Sequence, residues 1–128
     1  MLKTCRILMA NQPKLMRELL LEMLAEEPWA EIVGEAEETD LREVVQKTCP
    51  NLLVVTADEP GKRPAICDEL LHEYPALRII AVAAHENYSM CYWASLDIHA
   101  AAIESSEQGF LSAVRSVAEI VTKGSAVN

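Results

Sequence analysis

Two rhythms of apolar residues alternate along this chain: short continuous runs, and longer stretches in which apolar positions recur every three or four residues. The run CRILMA (5–10) is followed by NQP, and Pro13 suits the first turn of a helix, where its missing N–H is not needed. A strand and then a helix are predicted. The helix is carried by Leu15, Leu19, Leu20, Met23 and Leu24, with Lys14, Arg17, Glu18 and Glu22 on its other faces, until EEPWA ends the pattern. AEIVGEA (30–36) reads as a second strand. Thr39 or Asp40 can cap a following helix in which Leu41, Val44 and Val45 share a face, and Pro50 stops it. NLLVV (51–55) is an unbroken apolar run, the mark of a parallel strand covered on both faces.

Beyond the loop ADEPGKRP, Ile66, Cys67, Leu70 and Leu71 form a third helical stripe, and residues 77–83 a fourth buried strand. Asn87 to Leu96 reads as a fourth helix and IHAAAI (98–103) as a weak fifth strand of small residues. Leu111, Val114, Val117, Ala118 and Val121 predict a final helix, with Gly124 placed as its stop. Five strands alternating with five helices predict a doubly wound α/β fold: a five-stranded parallel sheet with helices on both faces, in one domain spanning 1–128. The functional crevice of such sheets lies beyond the carboxyl ends of the strands. That singles out Ala10, Asn11, Thr56, Ala83 and Glu104.

Charge narrows the function. A net charge of −9 without a basic cluster repels phosphate backbones, so no nucleic-acid partner is expected. No run approaches the ~20 apolar residues of a membrane span, and the start carries no secretory signal, so a cytoplasmic protein is expected. Cys5, Cys49, Cys67 and Cys91 are widely separated and read as reduced thiols, mostly buried; with His72, His85 and His99 equally scattered, no metal site is signalled.

The segments RILMANQPKLMRELL, AEIVGEAEE, CPNLLVVTADEPG and ALRIIAVAAHEN, with the final helix, together resemble the receiver domain of bacterial two-component response regulators, over about residues 5–123. The resemblance implies a flavodoxin-like sheet of order 2-1-3-4-5. It also implies a phosphorylation site: two acidic residues after strand one that hold Mg²⁺, a phosphoacceptor aspartate ending strand three, a Ser or Thr ending strand four, and a lysine ending strand five. These positions fall here on Ala10 and Asn11, on Thr56, on Ala83 and on Glu104. Every one has changed. Mg²⁺ takes carboxylate oxygens, alanine offers none and asparagine only a neutral amide, so no cofactor is expected. The Thr56 hydroxyl has no adjacent base, and Glu104 would repel a phosphoryl group where lysine attracts one. The chain thus reads as a degenerate pseudo-receiver, not an enzyme, acting in signal transduction as a phosphorylation-independent interaction module.

Several readings stay open from sequence. Asp58 is a phosphoacceptor in a slipped alignment or an exposed loop carboxylate beside Glu59. Glu104 either accepts a hydrogen bond from Thr56 or Asn11 or is a solvated side chain without a role. The pocket vacated near Ala10, Thr56 and Ala83 could hold a small ligand, although no Gly-rich phosphate loop accompanies it. Receivers present the fourth helix, fifth strand and fifth helix to a signalling partner or to a second copy, so a homodimer through that face is one option. NYSMCYWASL places Tyr88, Met90, Tyr92 and Trp93 there; each can pack in the core or at an interface, and Tyr92 is the one expected to face solvent. The resemblance is to the branch of regulators that carries a C-terminal helix-turn-helix; KGSAVN stands where that output would begin, and no output domain is expected.

Overall fold

The layering follows from the alternation of side chains along the strands. In β1 (Cys5–Met9), Cys5, Ile7 and Met9 point into one apolar cluster and Leu8 into the other, all of them sealed from solvent. β3 (Leu52–Thr56) and β4 (Arg78–Val82) repeat this: Leu52, Val54, Ile80 and Val82 face one side, Leu53, Val55, Ile79 and Ala81 the other. Strands buried on both faces need helices above and below. On one face lie α1 (Lys14–Ala25), through Leu20 and Leu24, and α4 (Glu107–Val127), through Phe110, Val114, Val117 and Ala118. On the other lie α2 (Leu41–Thr48), through Leu41 and Val45, and α3 (Ala65–Glu73), through Cys67, Leu70 and Leu71. The computed structural model describes residues 4–57, 62–83, 89–95 and 98–127, with side chains through residue 120.

With β2 (Ala30–Glu35), β5 (Ser89–Ala94) and β6 (Ile98–Ala102), the strands form one sheet in the order β2-β1-β3-β4-β5-β6. The doubly wound, flavodoxin-like architecture expected from sequence is present. The first four strands are parallel, and a bulge at Ile7/Leu8 shifts the register against Gly34.

The far side of the sheet departs from expectation. The segment read as a fourth helix is strand β5, which runs antiparallel to β4, and β6 runs antiparallel to β5. A hairpin therefore stands where a crossover helix was expected; the described residues hold six strands and four α-helices rather than five and five. Gly124 is no stop either, because α4 continues through it to Val127.

Helix α1 also differs in its facing. Leu15 and Leu19 of the expected apolar stripe are 68% and 53% exposed, whereas Arg17, expected on a solvated face, is only 4% exposed. Helix α2 ends before Pro50 through Cys49, whose φ of 47° gives it the left-handed conformation of a helix cap. Of the four free thiols, Cys5 and Cys67 are buried, Cys91 is half-buried and Cys49 is exposed. Burial pushes the Cys5 thiol up to about 11 and the Cys67 thiol up to about 12, so both stay protonated and inert.

Candidate functional site

The crevice is built where the parallel strands end. The Ala10 N–H donates to the Val54 carbonyl at 2.8 Å and the Ala57 N–H to the Val82 carbonyl at 2.9 Å, which aligns the carboxyl ends of β1, β3 and β4. Ala10 and Asn11 thus stand beside Thr56. Thr56 pairs with Val82, and Ala83 follows. Four of the five residues singled out from sequence come together at this edge.

Glu104 does not join them. β6 runs in the same direction as β4, so Glu104 leaves the sheet at the same edge, but the interposed β5 moves it one strand outward. Three strand spacings separate β3 from β6, about 14 Å. Glu104 is exposed, and Thr56 is engaged elsewhere. The reading of Glu104 as a partner of Thr56 or Asn11 is thereby overturned by strand order.

Thr56 Oγ1 accepts the backbone N–H of Gln12 at 2.7 Å. Gln12 Nε2 donates to Glu37 Oε2 at 2.7 Å, and Arg17 joins the same carboxylate, with Nη2 3.4 Å from Glu37 Oε1 and Nη1 3.3 Å from Glu35 Oε1. Arg17 Nε also donates to the Asn11 carbonyl at 3.0 Å. One polar chain therefore runs from Thr56 through the loop after β1 to the end of β2. Its buried member is the Arg17 guanidinium, whose partner carboxylates are 45% and 63% exposed and keep much of their hydration. The Gln12–Pro13 peptide in this loop is cis.

Asn11 is fully buried, and neither its Oδ1 nor its Nδ2 meets a hydrogen-bond partner in the protein. Among Ala10, Gln12, Glu38, Leu41, Val55, Thr56, Pro64 and Ile66, the crevice encloses about 20 Å³, room for a single water. Ligand pockets run to roughly 300–1,000 Å³, so this space is too small for a metabolite. Among them, no group of three or more His, Cys, Asp or Glu side chains converges. Asp58 and Glu59 lie outside the described residues, as does Tyr88.

The aromatic segment sits on β5, not on a helix. Tyr92, expected to face solvent, is 3% exposed and packs into the α2–α3 side of the core; β5 alternation sends it inward with Met90 and Ala94, which are half-buried. Trp93 points to the opposite face. There its ring stacks on His99 with centroids 5.4 Å apart and lies under the Arg78 guanidinium at 5.3 Å.

Gln12 and Arg17 were missed as site residues. Gln12 meets Thr56 through its backbone N–H, which carries no sequence signal, and its side chain meets Glu37, 25 residues away in the chain. Arg17 looked like a solvated helix position because its partners, Glu35 and Glu37, come from another strand end.

The sequence matches no protein-family profile and no curated protein. Solved structures do match. RcsB from Salmonella enterica serovar Typhimurium, bound to promoter rprA in the presence of the phosphomimetic BeF3-, is 19% identical with a TM-score of 0.56, over 66% of this chain and 45% of that one. The signal receiver domain of the putative response regulator NarL from Mycobacterium tuberculosis is 21% identical with a TM-score of 0.54, over 66% of this chain and 69% of that one. The isolated receiver domain of the same RcsB, in the presence of the same phosphomimetic, gives 18% and 0.55, over 66% of each chain. This chain therefore spans less than half of the promoter-bound RcsB chain. No helix among the described residues is long and apolar enough to cross a membrane. At these identities the likeness establishes architecture: the chain has the fold of a response-regulator receiver domain.

Proposed function

We propose that this chain is a degenerate receiver that serves signal transduction without phosphorylation, acting by contact with a signalling partner or a second copy and catalysing no reaction. The observation that carries this reading is the polar chain at the strand ends. The residue in the phosphoacceptor position is a threonine whose oxygen accepts the Gln12 N–H at 2.7 Å. An acyl phosphate needs a carboxylate nucleophile and a counter-charge for the transferred group.

The donor set does not suit Mg²⁺. Ala10 brings no side-chain oxygen and Asn11 a sealed neutral amide, where this ion takes carboxylates and retains several waters. Arg17 places a permanent cation against the same loop, anchored on the Asn11 carbonyl and compensated by Glu35 and Glu37. The loop is held by protein groups, so its conformation needs neither metal nor phosphate. The net charge of −9 argues against direct promoter binding of the kind described for RcsB.

Incubation with Mg²⁺ and acetyl phosphate tests this reading. Intact-mass spectrometry should return the unmodified mass. A gain of one phosphoryl group located on Asp58 or Thr56 would make the chain a conventional phosphorylated regulator.

A further inference from the structure

β6 is the terminal strand of the sheet, and its residues 99–102 are exposed. Sheet edges are ordinarily blunted by charges, proline or a bulge, because their free N–H and C=O groups template pairing with another strand. The opposite edge follows that rule. β2 carries Glu31 and Glu35, each ion-paired to an arginine, and the register bulge at Gly34. β6, in contrast, reads IHAAA, with no charged residue, no proline and no register shift against β5, and its last four residues are exposed.

The register fixes which backbone groups point outward. The Ile103 N–H donates to the Ser89 carbonyl at 3.0 Å, so that pair is hydrogen-bonded. Opposed residues in an antiparallel ladder alternate between bonded and non-bonded pairs. Ala101 and His99, opposite Cys91 and Trp93, therefore spend their backbone groups on β5. Ala100 and Ala102 direct theirs away from the sheet.

We infer that β6 is a self-pairing edge, which joins two copies of this chain about a two-fold axis at Ala101 into one continuous sheet. In that register Ala100 lies opposite Ala102 of the second copy. Each such pair exchanges both of its backbone hydrogen bonds, and symmetry repeats the pair. Ala101 meets its own counterpart across the axis, where the smallest chiral side chain lets the strands approach. The pattern is self-complementary, as an isologous two-fold contact requires. The β6 residues themselves carry no formal charge that opposes it, despite the net −9 of the chain. Stacking of His99 on Trp93 and the Ser95 Oγ to His99 Nε2 contact at 2.7 Å tie β6 to β5. A five-residue edge buries less than the roughly 1,200 Å² of a stable interface, so the dimer should dissociate on dilution. This inference rests on the reading of the chain as a contact module, and it names the contact.

Sedimentation equilibrium across micromolar to millimolar protein tests it, alongside Ala102→Pro and Ala101→Lys. The unaltered chain should rise from monomer mass toward twice that mass. Ala102→Pro removes a donor that faces outward and leaves the β5 ladder intact, as proline on an edge strand can. It should stay monomeric with an unchanged circular dichroism spectrum. Should that variant fail to fold, Ala101→Lys gives the same reading, because it changes one exposed side chain and puts two like-charged side chains directly opposite each other, on residues whose Cα atoms would lie about 4.5 Å apart across the axis. An unaltered chain that is monomeric throughout overturns the inference, as does a dimer that survives in the folded variants. So does a chain that never self-associates but captures an extended peptide along β6. Phosphoryl uptake is read separately: a dimer that accepts phosphoryl sinks only the phosphorylation-independent reading, and an unmodified monomer sinks only the edge.

Discussion

Gly109→Ala is expected to destabilise the protein by about 3 kcal/mol or more. Helix propensity alone favours the substitution by about 1 kcal/mol, since glycine inside a helix costs backbone entropy that alanine does not. Packing at this position reverses the sign. A Cβ on Gly109 would lie 2.1 Å from the Glu104 carbonyl oxygen and 2.8 Å from the Glu104 carbonyl carbon and Cβ. Backbone atoms cannot rotate away as a side chain would. The same joint caps α4: Ser106 Oγ accepts the Gly109 N–H at 2.9 Å, while the Ser106 N–H donates to the Glu104 carbonyl at 2.9 Å. Relieving the clash would move both bonds and the start of the helix that brings Phe110 and Val114 to the core. Urea denaturation would show the midpoint fall; a midpoint equal to or above that of the parent would mean that the helix meets the sheet in another way.

Tyr92→Ala should cost about 3 to 5 kcal/mol, the range for truncating a large buried aromatic. Tyr92 is buried among Ile79, Leu70, Leu71 and other members of the α2–α3 cluster, and it pairs in register with Ile79 on β4 and Ala100 on β6. The expected outcome is a lower melting temperature, with partner binding lost only as the fold is lost. Tyr92→Phe, which keeps the ring, should retain most of the stability. A Tyr92→Ala protein that melts like the parent but loses a partner would return the residue to the surface role expected from sequence.

The parallel half of the sheet was legible because CRILMA, NLLVV and LRIIAV are short apolar runs between turn residues, and burial on both faces is the one use such strands have in an α/β protein. The segment NYSMCYWASL was misjudged. A ten-residue, largely apolar stretch fits a short helix or a strand. Its own chemistry points the other way: Tyr, Trp and Cys alternate so that Met90, Tyr92 and Ala94 share one face and Cys91 and Trp93 the other, which suits a pleated surface. The antiparallel hairpin then follows, because β5 and β6 are too close in sequence for a parallel crossover.

The site was half legible. Adjacent strand ends can be placed from the order of elements alone, which brought Ala10, Asn11, Thr56 and Ala83 together. Glu104 failed because an extra strand enters between it and the others, and the extra strand was the misread segment. The facing of α1 was beyond a periodicity count. Leu15, Leu19, Leu20 and Leu24 fall on overlapping stripes, and the choice between them turns on Arg17, which goes inward because a carbonyl and two carboxylates await it. Partners from distant strands leave no mark in local sequence.

The central claim is that this crevice gathers neither a divalent ion nor a phosphoryl group. Fluorine NMR of the protein with beryllium fluoride, titrated with Mg²⁺, tests it most directly. The account predicts resonances of free fluoroberyllates alone at every Mg²⁺ concentration. A saturable bound resonance that appears with Mg²⁺ and vanishes with EDTA would contradict it.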